Sequence, residues 1–474
     1  ALRGGALAGR PGLVYPAVGR GVETPGTPLT DAKLNDPTTI QPLSAGFRRY
    51  ALGMLLVIYT LNFLDRQVVS ILAEPIKNDL KLADWQLGLM TGFAFAFLYT
   101  ILGLPIARIS ERANRPLLIA CAVAVWSGFT ALCGLAHNFW QLVLARVGVG
   151  VGEAGCSPPA MSLIADYAPK EQRASALAVY LMGAPVGGLL GMAMGGVVAD
   201  HWGWRAAFLV AGAPGLIIAL LAGLTLIEPR KRLTPEQRVS VQEQAPPLKE
   251  ALKEFARSRT YWFVVSAVTM KAFISYGTTA FIGSFFFRNH AEELATLSAS
   301  VGLKSAGFLG LALGLVTGLT AAFGTWGGGQ LADRLGKKDM RGYMVLPAVG
   351  AVVAIPFTLT ALNVDSLLLA LGIFLIPSLL NAVWQGPAYA TIQGLVQPRT
   401  RATATAVLLF VANLVGLGLG PLMVGIMSDA ISAGLGGDPA RSVRWSLIVV
   451  ALFGLPCAAL FWGARKYIRD ETVS

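Results

Sequence analysis

The chain is dominated by long apolar runs that are separated by short polar loops. Each run is long enough to cross a bilayer as a helix, which takes roughly 20 apolar residues. Because 54% of the residues are hydrophobic and only 14% are charged, a soluble multidomain enzyme is improbable. We therefore predict an all-α membrane protein with twelve transmembrane helices. The runs lie at about 50–72, 85–107, 115–136, 138–163, 174–199, 205–227, 260–287, 306–330, 342–361, 366–390, 402–427 and 445–466.

The second six runs repeat features of the first six. Chance rarely preserves one offset through several such positions, so the sequence predicts two pseudo-symmetric six-helix bundles, at 47–228 and 259–468. A shift of 229 positions places Pro158 on Pro387, Gly187 on Gly416, Gly191 on Gly420, Gly196 on Gly425 and Asp200 on Asp429.

The segments outside the bundles have a different composition. Residues 1–46 are rich in Gly, Pro, Thr and Ala, so we expect a disordered N-terminal tail, part of it an expression-vector remnant. The linker at 229–258 contains LKEALKEF, whose periodicity predicts a helix on the membrane surface. The four cysteines lie in apolar runs, which predicts buried, reduced thiols.

The basic residues indicate how the chain is oriented. Most Lys and Arg residues lie in the loops that share a side with both termini, and such loops prefer the cytoplasm. We therefore predict a multi-pass protein of the plasma (inner) membrane with both termini cytoplasmic. The net charge is +12, but the basic residues do not form one patch and no nucleic-acid motif occurs, so we expect no nucleic acid as a partner. We expect the protein to be a monomer that is surrounded by membrane lipids.

Ionisable side chains interrupt two of the runs. In the first run Asn62, Asp65 and Arg66 fall on one helical stripe. In the fourth run Arg146 and Glu153 are seven residues apart, about two turns, and share a face. A charge in hydrocarbon costs roughly 2.5 to 3.5 kcal/mol on insertion scales, so such groups line a cavity or find partners. They are either part of an ion or substrate path or a neutral cluster that holds helices together.

Two loops carry a recognisable signature. The sequence GQLADRLGKK at 329–338 resembles the cytoplasmic loop signature of the major facilitator superfamily, and ARISERANR at 107–115 is a weaker copy. The resemblance implies that fold, in which parallel repeats enclose a midplane substrate site. An acid–base cluster at these helix ends would pair with the opposite half when the inner gate shuts, whereas the plainer interpretation is a solvated basic loop. The predicted gate residues are Glu111, Arg112, Arg115, Asp333 and Arg334.

Two further motifs narrow the resemblance. NFLDR in the first run and RVGVGVGEAGCSPPA in the fourth are similar to the Spinster family, here in a bacterial-type form, whose members export lysolipids and sphingosine-1-phosphate. Similar first-helix sequences also occur in organic-anion symporters. The resemblance implies that the first and fourth helices are neighbours that line the cavity.

That arrangement gives a hypothesis for coupling. Asp65 and Glu153 would be the proton-coupling acids, and Arg66 would pair with Glu153 in one state. If an anionic head group takes the arginine, the carboxylate is freed to accept a proton, because burial favours the neutral acid and a nearby arginine favours the charged one. The predicted substrate-binding residues are Arg66, Arg146, Asn62, Lys271, Tyr276, Asn381, Trp384 and Gln385.

The sequence thus favours a secondary transporter that works by alternating access and couples the entry of protons to the export of an anionic or zwitterionic lysolipid or a sphingolipid-like amphipathic anion. Alternatives are a proton-driven importer of a small organic anion, a multidrug efflux pump, and, more remotely, a lipid-modifying membrane enzyme or a sensor. We predict no enzyme activity, no cofactor other than the coupling proton, and no metal site. The three histidines, His137, His201 and His290, lie apart near the ends of runs, and no P-loop motif occurs.

Overall fold

The structure is a computed structural model that describes residues 44–169, 172–232, 248–397 and 400–472. These residues are almost entirely helical, and no β-strand occurs among them. The first six membrane helices are α1 (Ala45–Leu80), α2 (84–112), α3 (Arg115–Cys133), α4 (139–167), α5 (173–202) and α6 (204–225). The second six are α7 (Arg259–Asn289), α8 (Ser305–Gly336), α9 (Gly342–Asn363), α10 (367–394), α11 (401–434) and α12 (439–464).

Several of these helices contain an irregular turn. A π-helical segment interrupts α2 at Leu89–Phe93 and α11 at Ala412–Leu419. Helix α4 divides into Phe139–Ala154 and Ser157–Tyr167, and α10 divides into Leu367–Leu380 and Gln385–Gly394. The breaks in α4 and α10 fall at equivalent places of the internal repeat, whereas the π-helical segments lie in helices that the repeat does not relate.

The number of crossings agrees with the sequence prediction. In the described part of the chain, nine segments are long and apolar enough to span a membrane by length and composition alone. One of them, Ser175–Lys231, contains both α5 and α6, which meet at Gly203. The helices at 139–167 and Arg259–Asn289 complete the set of twelve. Gly203 has φ of 82°, a conformation that favours glycine, and it makes the sharp corner between α5 and α6.

Equivalent helices pack together in the two halves. In the first half α1 lies along α5 and α3 lies along α6, and in the second half α7 lies along α11 and α9 along α12. Gly187 brings α5 against Thr60 of α1, and its repeat partner Gly416 brings α11 against Ala272 of α7. Small residues allow this close approach. Because lipid tails are as apolar as the side chains, no hydrophobic effect drives membrane helices together, and close packing stabilises their contact instead. The repeated glycines therefore allow equivalent helices to pack closely in each bundle.

The bundles meet mainly on one side of the membrane. We call the side where α1 begins and α12 ends the terminal face, and the opposite side the far face. Toward the far face α5 packs on α8 and α2 packs on α11. Arg288 of α7 also donates to Glu74 of α1 over 2.7 Å and to Asp84 of α2 over 2.8 Å. The far face is consequently sealed by contacts between the halves.

At the terminal face, by contrast, the ion pairs between described residues each join parts of one bundle. Arg115 at the start of α3 contacts Glu228, and its Nη1 lies 2.7 Å from Asp166 Oδ2 at the end of α4. In the second half Arg469 lies 2.6 Å from Asp339. Hydrogen bonds from the backbone of Arg341 and from the side chain of Arg469 hold the pKa of Asp339 below its usual value.

We expect Arg115→Ala to destabilise the first bundle. The arginine side chain is fully buried, and its removal leaves the Glu228 carboxylate without its paired cation and leaves Asp166 with Arg230 alone. Breaking a buried pair in this way costs about 3 to 5 kcal/mol. Thermal unfolding of the detergent-solubilised protein should show a clearly lowered midpoint, with a smaller decrease for Arg230→Ala, whose side chain is 23% exposed. Equal midpoints for Arg115→Ala and the wild type would show that this network carries no stability.

The structure also bears on the predictions for the cysteines, the linker and the N-terminal tail. All four cysteines are free thiols, but Cys121 is exposed on the outer surface of α3, so the prediction that all four are buried was wrong. A run of apolar residues does not reveal which face of its helix meets lipid. The linker helix is present at Leu248–Arg257 and buries Ala251 and Phe255 against the ends of α7 and α11. The predicted tail falls almost wholly outside the described residues.

Candidate functional site

The structure brings Arg66 of α1 and Glu153 of α4 into a direct ion pair. Arg66 Nε donates to Glu153 Oε2 over 2.7 Å, and Nη2 lies 2.6 Å from the same oxygen. The Glu153 side chain is fully buried, whereas that of Arg66 is 13% exposed. The arginine is therefore the more accessible member of the pair.

A second acid and a second base lie beside this pair. Asp65 Oδ2 accepts a hydrogen bond of 3.0 Å from Thr130 of α3, and both Asp65 and Arg146 are buried. Asp65 Oδ1, Glu153 Oε1 and Arg146 Nε make no hydrogen bond to any described protein atom. Buried polar atoms without protein partners are uncommon and call for an explanation. The two carboxylate oxygens are free to accept a hydrogen bond or a proton, and the Arg146 Nε–H is free to donate one.

Aromatic rings hold the two arginines. The Arg66 guanidinium lies 4.8 Å from the ring centre of Phe95 and 4.7 Å from that of Tyr99, both on α2. The Arg146 guanidinium lies 5.3 Å from the same Phe95 ring. A ring face attracts cations, and the attraction grows where water is excluded. One ring, that of Phe95, thus contacts both positive charges. Sequence reasoning missed Phe95 and Tyr99, because an aromatic residue in an apolar run looks like any lipid-facing or core residue.

Tyrosines extend the site toward the second bundle. Tyr276 of α7 is close enough to Arg66 to interact with it electrostatically, and Tyr389 of α10 interacts in turn with Tyr276. On the other side Tyr59 of α1 stacks on Tyr180 of α5 with ring centres 4.3 Å apart. Of the predicted residues in the second half, Tyr276 is the one that the structure brings to the ion pair.

The other predicted substrate residues lie at different distances from the ion pair. Lys271 is only 3% exposed, has no ion pair or hydrogen bond with described residues, and lies near Cys457 of α12. Trp384 lies 6.3 Å from Tyr389 between ring centres, which places it near the tyrosines. Gln385 accepts a hydrogen bond of 3.3 Å from Thr325 of α8. Asn62 is buried beside the acids and lies close enough to Glu153 for its amide to interact with the carboxylate. Asn381 ends the first part of α10.

The predicted gate residues make contacts within their own bundles. Arg115 joins Glu228 as described above, and Asp333 accepts a hydrogen bond of 2.9 Å from Tyr343 of α9. Arg334 lies in the last turn of α8. The side chains of Glu111 and Arg112 lie outside the described part of the structure. The role of these residues as a gate stays a prediction.

Comparison with known proteins agrees with this architecture. Residues 55–421 match the family described as Major Facilitator Superfamily. The chain belongs to this superfamily. An MFS-type efflux pump of Mycolicibacterium smegmatis is 32% identical over 89% of the chain and 93% of the pump. Protein spinster homolog 1 of Mus musculus is 28% identical over 91% of the chain and 83% of that protein.

Solved structures give the same result. A bacterial homolog of the human lysosomal transporter Spinster, in an inward-facing and unoccupied conformation, is 33% identical with a TM-score of 0.81, covering 91% of this chain and all of that one. Its occupied form gives a TM-score of 0.79 at 32% identity. The predicted resemblance to the Spinster family is thus confirmed, and the protein is a major facilitator transporter with the fold of transporters rather than of enzymes.

Proposed function

We propose that the protein is a proton-coupled exporter of an amphipathic lysolipid or sphingolipid-like molecule that works by alternating access. The observation that carries the proposal is the Arg66–Glu153 ion pair, which joins two membrane helices, α1 and α4, with the buried Asp65 and Arg146 beside it. Intramembrane ionisable groups mark ion and substrate paths more often than they mark packing. A purely structural cluster would satisfy its polar atoms within the protein, whereas several atoms here have no described protein partner.

The sign of the coupling depends on the charges of the cargo. A purely anionic head group at Arg66 leaves Glu153 without its cation, so the acid takes a proton and both species move in the same direction. The exchange of a lipid anion for protons that the sequence suggested therefore does not follow for a cargo with a negative charge alone. Proton entry drives cargo exit only if proton and cargo exclude each other. A head group with an ammonium meets this requirement, because the ammonium competes with protons for Asp65 and Glu153 while the phosphate contacts the arginines. The proposed cargo is therefore a lysolipid that carries both a phosphate and an amine.

The walls of the site suit such a cargo. Phe95 and Tyr99 flank the arginine on the first bundle and Tyr276 faces it from the second. Tyrosine offers an apolar ring to a chain and a hydroxyl to a head group. Lys271, Asn381, Trp384 and Gln385 remain proposed contacts of the second bundle.

Because the far face is sealed, we propose that the structure represents the state that is open at the terminal face. If the terminal face is cytoplasmic, as the distribution of Lys and Arg predicts, the space between the bundles opens to the cytoplasm. The likeness to the inward-facing Spinster homolog, with a TM-score of 0.81, supports this assignment. This state is the one in which an exporter would load its cargo from the inner side of the inner membrane.

A multidrug efflux pump is the second candidate. It is favoured by the similarity to the efflux pump of Mycolicibacterium smegmatis, which is 32% identical over nearly the full length of both chains. An aromatic site with buried carboxylates would also accept a cationic drug. The organic-anion symporter remains the alternative for a cargo without an amine.

Transport assays in proteoliposomes separate these candidates. We expect an imposed pH gradient to raise the initial rate of labelled lysophosphatidylethanolamine transport when protons flow against the cargo. The matched control is Asp79→Asn, which neutralises an exposed carboxylate of α1 that pairs with Arg205, and it should transport like the wild type. Stimulation when protons flow with the cargo would favour the symporter. A rate unaffected by the gradient would refute the proton-coupled proposal, and competition by cationic drugs but not by lysolipids would favour the pump.

A further inference from the structure

Two carboxylates at the far face cap helices that belong to the opposite bundle. Asp200, at the end of α5, accepts hydrogen bonds from the first backbone N–H groups of α8, with distances of 3.2 Å to Ala306 N and 2.5 Å to Gly307 N. Asp429, near the end of α11, accepts hydrogen bonds of 3.1 and 2.8 Å from the backbone N–H groups of Asp84 and Trp85 at the start of α2. The two contacts occupy equivalent places in the internal repeat.

In neither capped helix does the residue before the first turn supply a capping side chain, although Gln86 Oε1 of α2 accepts a hydrogen bond of 2.8 Å from the backbone N–H of Ala83. The residues that precede α8 and α2 are Lys304 and Ala83, and neither side chain accepts a hydrogen bond from its helix. Five other membrane helices begin with a capping side chain supplied locally, from Ser44, Asn114, Asn138, Ser258 and Asp438. The first N–H groups of a helix need partners, and a carboxylate there also interacts favourably with the helix dipole. In α8 and α2 the partner comes from the other half of the molecule.

We infer that Asp200 and Asp429 form a paired latch that holds the far face shut and thereby biases the transporter toward the state open at the terminal face. Separation of the halves at the far face pulls each carboxylate off its helix and exposes uncapped N–H groups to water. The latch rests on the proposed alternating access but not on any particular cargo or on proton coupling, since neither residue touches the Arg66–Glu153 site.

The latch has two contact regions, the α5–α8 corner at Asp200 and the α2–α11 corner at Asp429. These two corners are not equally strong. At the α2–α11 corner, the Asp84 side chain also accepts hydrogen bonds of 2.8 Å from Arg288 and 2.6 Å from Ser428, which tie α2 to the second bundle independently of Asp429. At the α5–α8 corner, the additional polar contact of the latch is the 2.7 Å hydrogen bond from Lys304 Nζ to the backbone oxygen of Asp200. Loss of Asp200 should therefore weaken the seal more than loss of Asp429.

Distance measurements between spin labels test the latch without any transport assay. One label pair replaces Trp202 and Val301, which are exposed at the α5–α8 corner, and a second pair replaces Trp140 and Leu435, which are exposed at the far face in opposite bundles. Cys121, the exposed native cysteine, is replaced by alanine so that it takes no label. Pulsed electron resonance then gives the populations of short and long distances across the far face.

We expect Asp200→Ala to raise the ratio of long to short distances on the order of 5-fold, the change that loss of one helix cap gives. Asp429→Ala should give a smaller rise, and the double variant roughly the product of the two, because the corners are separate. Asp200→Asn should shift the populations less than Asp200→Ala, since asparagine still caps a helix.

The matched control is Asp438→Ala, which removes a far-face carboxylate that caps α12 within its own bundle. It should leave both distance distributions unchanged. The latch is overturned if Asp200→Ala and Asp429→Ala retain the wild-type distributions, or if Asp438→Ala shifts them as much. Neither result would bear on the cargo or on proton coupling, which the proteoliposome assay tests separately.

Discussion

Arg66→Ala should lower transport by at least about 100-fold, the effect expected when one partner of a buried, hydrogen-bonded charge pair is truncated. The substitution removes the cation that the cargo head group would contact, and it leaves the fully buried Glu153 carboxylate without its partner. The initial rate of lysolipid transport, normalised to the amount of folded protein in the membrane, measures the loss. Arg205→Ala, which breaks the exposed pair with Asp79, serves as the control and should retain transport.

A double variant separates a transport role from a structural one. Combining Arg66→Ala with Glu153→Gln removes both charges of the pair, so no uncompensated charge stays buried. We expect the double variant to accumulate and unfold like the wild type but to remain inactive. Recovery of transport along with stability would mean that the pair only holds α1 against α4.

Asp65→Asn should uncouple transport from the pH gradient while leaving the fold intact. The asparagine oxygen can still accept the hydrogen bond from Thr130 Oγ1, but the side chain no longer binds an exchangeable proton. Gradient-driven accumulation should fall by about 5- to 150-fold, the usual range of a coupling free energy between two sites. Exchange of labelled for unlabelled cargo without a gradient should continue. A variant that still accumulates cargo in response to the gradient would exclude Asp65 as a coupling acid.

Much of the fold could be predicted from the sequence because the bilayer imposes strong rules. Twelve crossings follow from the lengths of the apolar runs, and the two bundles follow from the repeat that relates Gly187 to Gly416 and Asp200 to Asp429. The charged site was predictable for a similar reason. Charges at mid-membrane are costly, so Asp65, Arg66, Arg146 and Glu153 stand out against an apolar background.

What the sequence did not reveal depends on which face of a helix meets which neighbour. Phe95 and Tyr99 carry no polar signal, yet they contact the arginines because α2 turns that face inward. Cys121 shows the reverse case, an apolar position that lies on the outer surface. The caps at Asp200 and Asp429 depend on contact between bundles, so the repeat marked both residues without indicating what they bind.

Counting protons during cargo binding tests the central claim most directly, namely that a proton and a zwitterionic lysolipid exclude each other at Asp65 and Glu153. The purified protein, in weakly buffered detergent solution with a pH indicator, is titrated with lysophosphatidylethanolamine. We expect release of roughly one proton per bound lipid in the wild type and none in the Asp65→Asn, Glu153→Gln double variant. Proton uptake on binding, or equal release from that double variant, would contradict the account.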